Sequence, residues 1–211
     1  MALVKYNDRS LRNLSTVPAA VTGNAPGALV HIKTLTASSS STLSFVDGSD
    51  NVVLDNTYPI YKFEFINMHP ETNNVTFGFQ GNSSGGSGYN ETITSTFFSA
   101  YHNESDSASA LVYDTGKDQA QGTSFQALNT GIGNDNDQCK VGYLHLFNPS
   151  STVMVKHFIS TSNNYVHSDY SQNDFIAGYF NTTSAIDEIQ FKMSSGNIDA
   201  GQIKLYGIKD A

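Results

Sequence analysis

Cysteine occurs once in this 211-residue chain, tryptophan not at all, and charged side chains make up only 14%. Each shortage excludes something. The lone thiol, Cys139, cannot build an internal disulfide framework, so a packed core must hold the fold. Without tryptophan the indole platform that often stacks on sugars is missing, which lowers a lectin reading. Sparse charge removes the ion pairs that support surface helices. A net charge of −8 offers no basic stripe for phosphates, so no nucleic acid is expected as a partner. No apolar run reaches membrane-span length, and MALVKYNDRSLRNL lacks the apolar centre of a signal peptide. The expectation is folding in a reducing cytoplasm without membrane insertion. The Asn-x-Ser/Thr triplets at Asn13, Asn74, Asn82, Asn90, Asn103 and Asn181 are what chance gives in so Asn-, Ser- and Thr-rich a chain, and none is read as glycosylated.

What is present is a supply of short alternating runs between turn formers. In Ala185–Lys209, Ile189, Phe191 and Met193 interleave with Gln190 and Lys192, then Ile203 and Leu205 flank Lys204. SSGNIDAG lies between, so the stretch reads as a hairpin with one buried face. Residues 58–80 repeat the pattern: Tyr61, Phe63 and Phe65, then Val75, Phe77 and Phe79 across HPETNN, read as a hairpin with an aromatic inner face. ALVHIKTLT leads to TLSFV, and Asp47–Gly48 marks a turn into NVVLD as a further strand. Val141–Phe147 and Thr152–Ser160, joined by NPSS, form another predicted hairpin. A four-residue loop would set Leu146 against Val153 and put His145 and His157 on opposite faces. Phe175–Phe180 adds a strand. Residues 90–130 give the weakest pattern, with NETITSTFFSAYH and SASALVYD as the strand-like pieces. The sum is an all-β chain of about ten strands, in an antiparallel two-sheet sandwich of jelly-roll-like type. It spans residues 28–211 as one domain, an ordinary size for an all-β unit.

Residues 1–27 lack periodicity and contain Pro18, Gly23, Pro26 and Gly27, so they read as an extended N-terminal arm. Charge is unevenly placed. Residues 1–46 set Lys5, Arg9, Arg12 and Lys33 against Asp8 alone, for +3; the rest sets seven lysines against eighteen acids, for −11. Lys5, Arg9 and Arg12 are therefore candidate docking residues that meet carboxylates on a neighbouring subunit.

No constellation of catalytic residues emerges. GNSSGGSG lacks the Lys-Ser/Thr ending of a phosphate loop, and Ser87 fails the nucleophile elbow because Tyr89 stands where glycine is needed. The oxygens of Asn134–Asp137, and of Asp47, Ser49, Asp50 and Asn51, miss calcium-loop spacing and read as Asx turns. His31, His69, His102, His145, His157 and His167 are scattered without structural-zinc spacing. Asp187 and Glu188 are neighbours on a strand and so diverge, whereas glycosidase carboxylates face each other across a cleft. No metal, cofactor or enzymatic activity is expected.

The runs TLTASSSSTLSFVDG, YPIYKFEFINMHPETNNVTFGFQ, YNETITSTFFSAYHNESDSA, QAQGTSFQALNTGIGNDNDQC, LHLFNPSSTVMVKHFIS and AGYFNTTSAIDEIQFKMSSGNIDAGQIKLYGI resemble a group of virion structural proteins of tailed phages of marine bacteria, cyanophages among them. The resemblance spans roughly residues 28–208 and carries over no functional residue. It implies a non-enzymatic decoration, fibre or appendage subunit of a virion, made in the host bacterial cytoplasm. It also implies a homo-oligomer, a trimer by analogy, beside other virion proteins. The alternative is a host-glycan-binding module of the particle, using loops 81–89 and 131–138.

Overall fold

The structure, a computed structural model, describes residues 29–209. Among them are thirteen strands and no helix. They are β1 (Leu29–Thr36), β2 (Leu43–Val46), β3 (Ile60–Pro70), β4 (Phe77–Ser83), β5 (Ile93–Asn103), β6 (Ser109–Tyr113) and β7 (Ala120–Gly122). β8 (Gln126–Ala127), β9 (Lys140–Phe147), β10 (Lys156–Val166), β11 (Tyr170–Phe180), β12 (Ile186–Met193) and β13 (Ile198–Ile208) follow. All pairings are antiparallel. A nine-stranded sheet runs β1-β13-β3-β9-β10-β11-β5-β6, with β7 continuing the β6 edge of β5; a four-stranded sheet runs β2-β12-β4-β8. The expected antiparallel two-sheet sandwich is therefore present, with unequal sheets. Arm residues Lys5, Arg9 and Arg12 lie outside the described residues.

Two of the predicted hairpins are not hairpins. β12 and β13 belong to different sheets, as do β3 and β4. Their short linkers cross the sandwich and bring two apolar faces against each other, where a hairpin would set them side by side. Period-two alternation says which face of a strand is buried but not which strand lies beside it. Gly196 (φ 67°) and Asn74 (φ 58°) supply the left-handed backbone these crossings need. β1 and β2 make a third crossing, tied by bonds between Ser40 and Ile198. Among the described residues, true hairpins occur only at β5–β6, β9–β10 and β10–β11.

The crossings build the core. Tyr61, Phe63 and Phe65 of the large sheet face Phe45, Phe77, Phe79 and Phe191 of the small one, all fully or almost fully buried. Phe191 sits at the hub, with ring centroids 5.4 Å from Phe63, 5.5 Å from Phe65, 5.7 Å from Phe77, 6.2 Å from Phe45 and 6.3 Å from Phe79. Phe45 and Phe65 meet it edge-to-face and Phe77 stacks on it with planes 13° apart, arrangements that ring quadrupoles favour over a face-to-face sandwich.

Two further expectations fail locally. Asn51–Asp55 is not a strand: Val52 and Leu54 are buried, but Asp47 Oδ1 accepts from the Leu54 N–H at 2.8 Å and holds the segment as a loop. In β9–β10 the register is set by an eight-residue loop. Asn148 turns with φ 44° and donates its N–H to the Pro59 carbonyl at 2.8 Å; the Ser151 hydroxyl then accepts from the Val153 and Met154 N–H groups. Leu146 consequently pairs with Phe158 and not Val153. That five-residue slip is odd, so it reverses the faces of β10. His145 and His157 point the same way, outward, contrary to the expectation.

Candidate interaction surface

Because the nine-stranded sheet covers far more than the four-stranded one, its outer face is broad. Alternation along β3, β9, β10, β11 and β5 decides what stands there. One row across the strands reads Ile208, Ile60, Phe147, His157, Tyr179 and Thr94; a second reads Tyr143, Thr161, Phe175, Phe98 and Tyr113. Phe98 and Phe175 stack with centroids 4.9 Å apart and planes 11° off parallel. His157 meets Tyr179 edge-on at 5.7 Å, and Tyr143 lies 4.9 Å from His145. Phe98–Phe175 and His157–Tyr179 are cross-strand pairs, the ordinary stabilising unit of a sheet, and Tyr143 and His145 are neighbours along β9; the outward faces of these rings stay open to water. Ile159 is 47% exposed, Phe98 41% and Leu111 73%.

Between β9, β10, β11 and β5 the face dips into an open groove of about 630 Å³, lined by Phe147, His157, Ile159, Ala177, Tyr179 and Thr94 among others. Few polar atoms line it, so it suits apolar protein side chains better than the hydroxyls of a sugar. At its margin charge returns. Lys62 bonds Glu64 at 3.1 Å and lies 5.3 Å from the Tyr143 ring centroid. Burial, with Lys62 nearby, lowers the His145 pKa and favours the neutral ring. Along one side, β6 pairs among the described residues only with β5, and all five of its residues are exposed. Its other edge presents backbone donors and acceptors beside Leu111 and Val112.

No protein-family model, curated protein or solved structure matches this chain.

The loops singled out from sequence fall elsewhere. Of loop 81–89, residues 81–83 prove to be the end of strand β4 and residues 84–89 follow it, whereas within 131–138 Ile132 bridges to Val75 just before the N-terminal end of β4. Seven residues of strand, roughly 20 Å, separate the two loops, so no single site uses both. Asn134 Nδ2 donates to the Glu71 carbonyl, the Asp135 N–H donates to Gln138 Oε1, and Asp47 Oδ1 accepts from the Leu54 N–H, so these segments are held as turns. Among the described residues no three His, Cys, Asp or Glu side chains group as metal ligands. Burial, then Asp137, pushes the Cys139 thiol up, away from thiolate reactivity. A bulge between Ile186 and Glu188 breaks the alternation on which the Asp187–Glu188 argument relied. Burial and a hydrogen bond to Glu188 push nearby Tyr89 up to about 12.

Sequence reasoning missed a polar layer on the inner face: Lys140, Ser160, Ser162, Asn164, Gln172 and Asp174, all buried. The signal was available. Lys140 shares the parity of Leu144 and Leu146, Asn164 that of Phe158, and Asp174 that of Ile176 and Phe180. The four-stranded sheet stops short of this region. There the Leu128 carbonyl, just past β8, accepts from Lys140 Nζ at 2.6 Å and from the Ser162 hydroxyl at 3.0 Å.

Proposed function

We propose that this chain is a non-enzymatic structural subunit of a tailed-phage particle, a decoration, fibre or appendage protein, and that a second copy packs on the outer face of its nine-stranded sheet. The open aromatic face carries this reading. Phe98, Phe175, Ile159 and the adjoining groove make an apolar patch of the kind that monomers rarely leave in water. The flanking β6 edge can add a strand from the same neighbour. Repeated in a symmetric assembly, individually weak contacts of this kind become strong attachment. The resemblance to virion structural proteins supplies the particle. The test is the solution mass of the full chain by light scattering. An oligomer that falls to monomer in Phe98→Glu/Ile159→Glu, with the sandwich still folded by circular dichroism, supports the reading. A monomeric wild-type chain, or an oligomer indifferent to both changes, contradicts it.

A further inference from the structure

Three side chains on three adjacent strands meet in the buried polar layer. Lys140 of β9 and Asn164 of β10 are register partners, which sets their Cβ atoms about 4.5–5.5 Å apart on the inner face. Asp174 of β11 pairs with Ser162, two residues along β10, and so is diagonal to Asn164. All three are fully buried. The Lys140 amine donates to the Leu128 carbonyl at 2.6 Å and to the Ser162 hydroxyl. Asp174 Oδ1 accepts from Gln172 Nε2 at 2.8 Å. Its Oδ2, and both Asn164 Oδ1 and Nδ2, have no hydrogen-bond partner among the described residues. Three orphaned polar atoms at one buried spot are uncommon in a folded protein and require an explanation.

We propose that Lys140 and Asn164 are joined by an intramolecular isopeptide bond, formed with Asp174 as the proton-transferring acid. The neutral Lys140 Nζ attacks Asn164 Cγ while protonated Asp174 Oδ2 donates to Asn164 Oδ1 and stabilises the developing oxyanion. The Nζ–Cγ bond forms and the Cγ–Nδ2 bond breaks. A proton from Nζ passes through the Asp174 carboxyl to Nδ2, which departs as ammonia. Lysine amine and asparagine amide thus give a secondary amide and ammonia, with no oxidant, metal or cofactor. Burial favours the two protonation states required: it disfavours charge on both groups, lowering the Lys140 pKa and raising that of Asp174.

The product also explains the orphans. Nδ2 is gone, Oδ1 accepts from Asp174 Oδ2–H, and the new amide N–H takes over the bond to Ser162. The crosslink ties two central strands of the large sheet beneath the proposed docking face, and its chemistry does not depend on that reading.

The test is mass spectrometry of the full-length folded chain. The expected mass lies about 17 Da, one ammonia, below that of the encoded sequence. Digestion should give a branched peptide joining the Lys140 and Asn164 segments, with no tryptic cleavage after Lys140. Lys140→Met, Asn164→Ala and Asp174→Asn should each restore the encoded mass. A folded wild-type chain of encoded mass overturns the proposal. So does a loss of 17 Da that maps to a linear peptide, as asparagine cyclisation would give. Neither reading of the wild type depends on whether the variants fold.

Discussion

Phe191→Ala is the substitution on which the packing account is most exposed. The phenyl ring is fully buried and within 6.3 Å of five other rings drawn from β2, β3 and β4. Removing it returns a transfer contribution of about 2–3 kcal/mol. It also opens a void of roughly 100 Å³, which at about 24 cal/mol per Å³ adds about 2.4 kcal/mol if the walls hold still. They should hold, because the rings belong to strands bonded into two different sheets, and neither sheet can move in without dragging its neighbours. The expected loss is therefore about 4–5 kcal/mol, at the upper end for such changes and a large part of a domain's stability of about 5–15 kcal/mol. Urea unfolding followed by circular dichroism measures it, with Phe98→Ala as the control. Phe98 is 41% exposed and, among the described residues, stacked only on Phe175, so its truncation should cost under about 1.5 kcal/mol. A Phe191→Ala loss below about 2 kcal/mol, or one no larger than the control's, would refute the idea that Phe191 is the hub of a rigid two-sheet core.

Other perturbations probe separate parts of the same account. A Cβ at Gly178 would lie 2.5 Å from the Thr94 carbonyl and 2.7 Å from the Phe158 ring, so Gly178→Ala should cost about 1–3 kcal/mol or more, read as a lowered urea midpoint. Asn129 is buried, accepts from the Phe77 N–H at 2.6 Å and donates to the Val75 carbonyl at 3.2 Å. Asn129→Ala orphans the Phe77 N–H and leaves the Val75 carbonyl with the Ile132 N–H alone; a destabilisation of about 1–3 kcal/mol is expected, whereas a change within about 0.5 kcal/mol, the scale of a neutral surface substitution, would contradict those bonds. The His145 pKa is lowered by burial and by Lys62, so below the unfolded value of about 6.5 the unfolded chain takes up the proton first. Stability should fall as pH drops from about 6.5 through the depressed folded value, and His145→Gln should flatten that fall. An unchanged acid slope in the variant would assign it to other groups.

Strand-forming segments were largely readable because burial on one face imposes alternation, and β3, β12 and β13 show it plainly. Sheet membership was not. In β3–β4 and β12–β13 a few turn residues separate two alternating runs, and the same residue types serve a tight hairpin or a crossing between layers. The distinction lies in which strands arrive from elsewhere: β9 and β13 take both sides of β3, leaving β4 no place in that sheet. The β9–β10 register failed for a local reason, since hydroxyl and Asx bonds at Asn148 and Ser151 extend a four-residue turn to eight. The outer aromatic face was partly visible, in that Tyr143, His145 and Phe147 make the second face of β9 apolar as well. The Lys140–Asn164–Asp174 cluster was hidden because it joins three strands far apart in sequence, although each member breaks the apolar parity of its own strand.

The proposal as a whole is tested most directly by the density of the intact phage particle. The account predicts this sandwich at a repeated position on the capsid or tail, with Phe98, Ile159 and Phe175 covered by a second copy. A particle that lacks the chain, or one in which that sheet face looks outward into solvent, would contradict it.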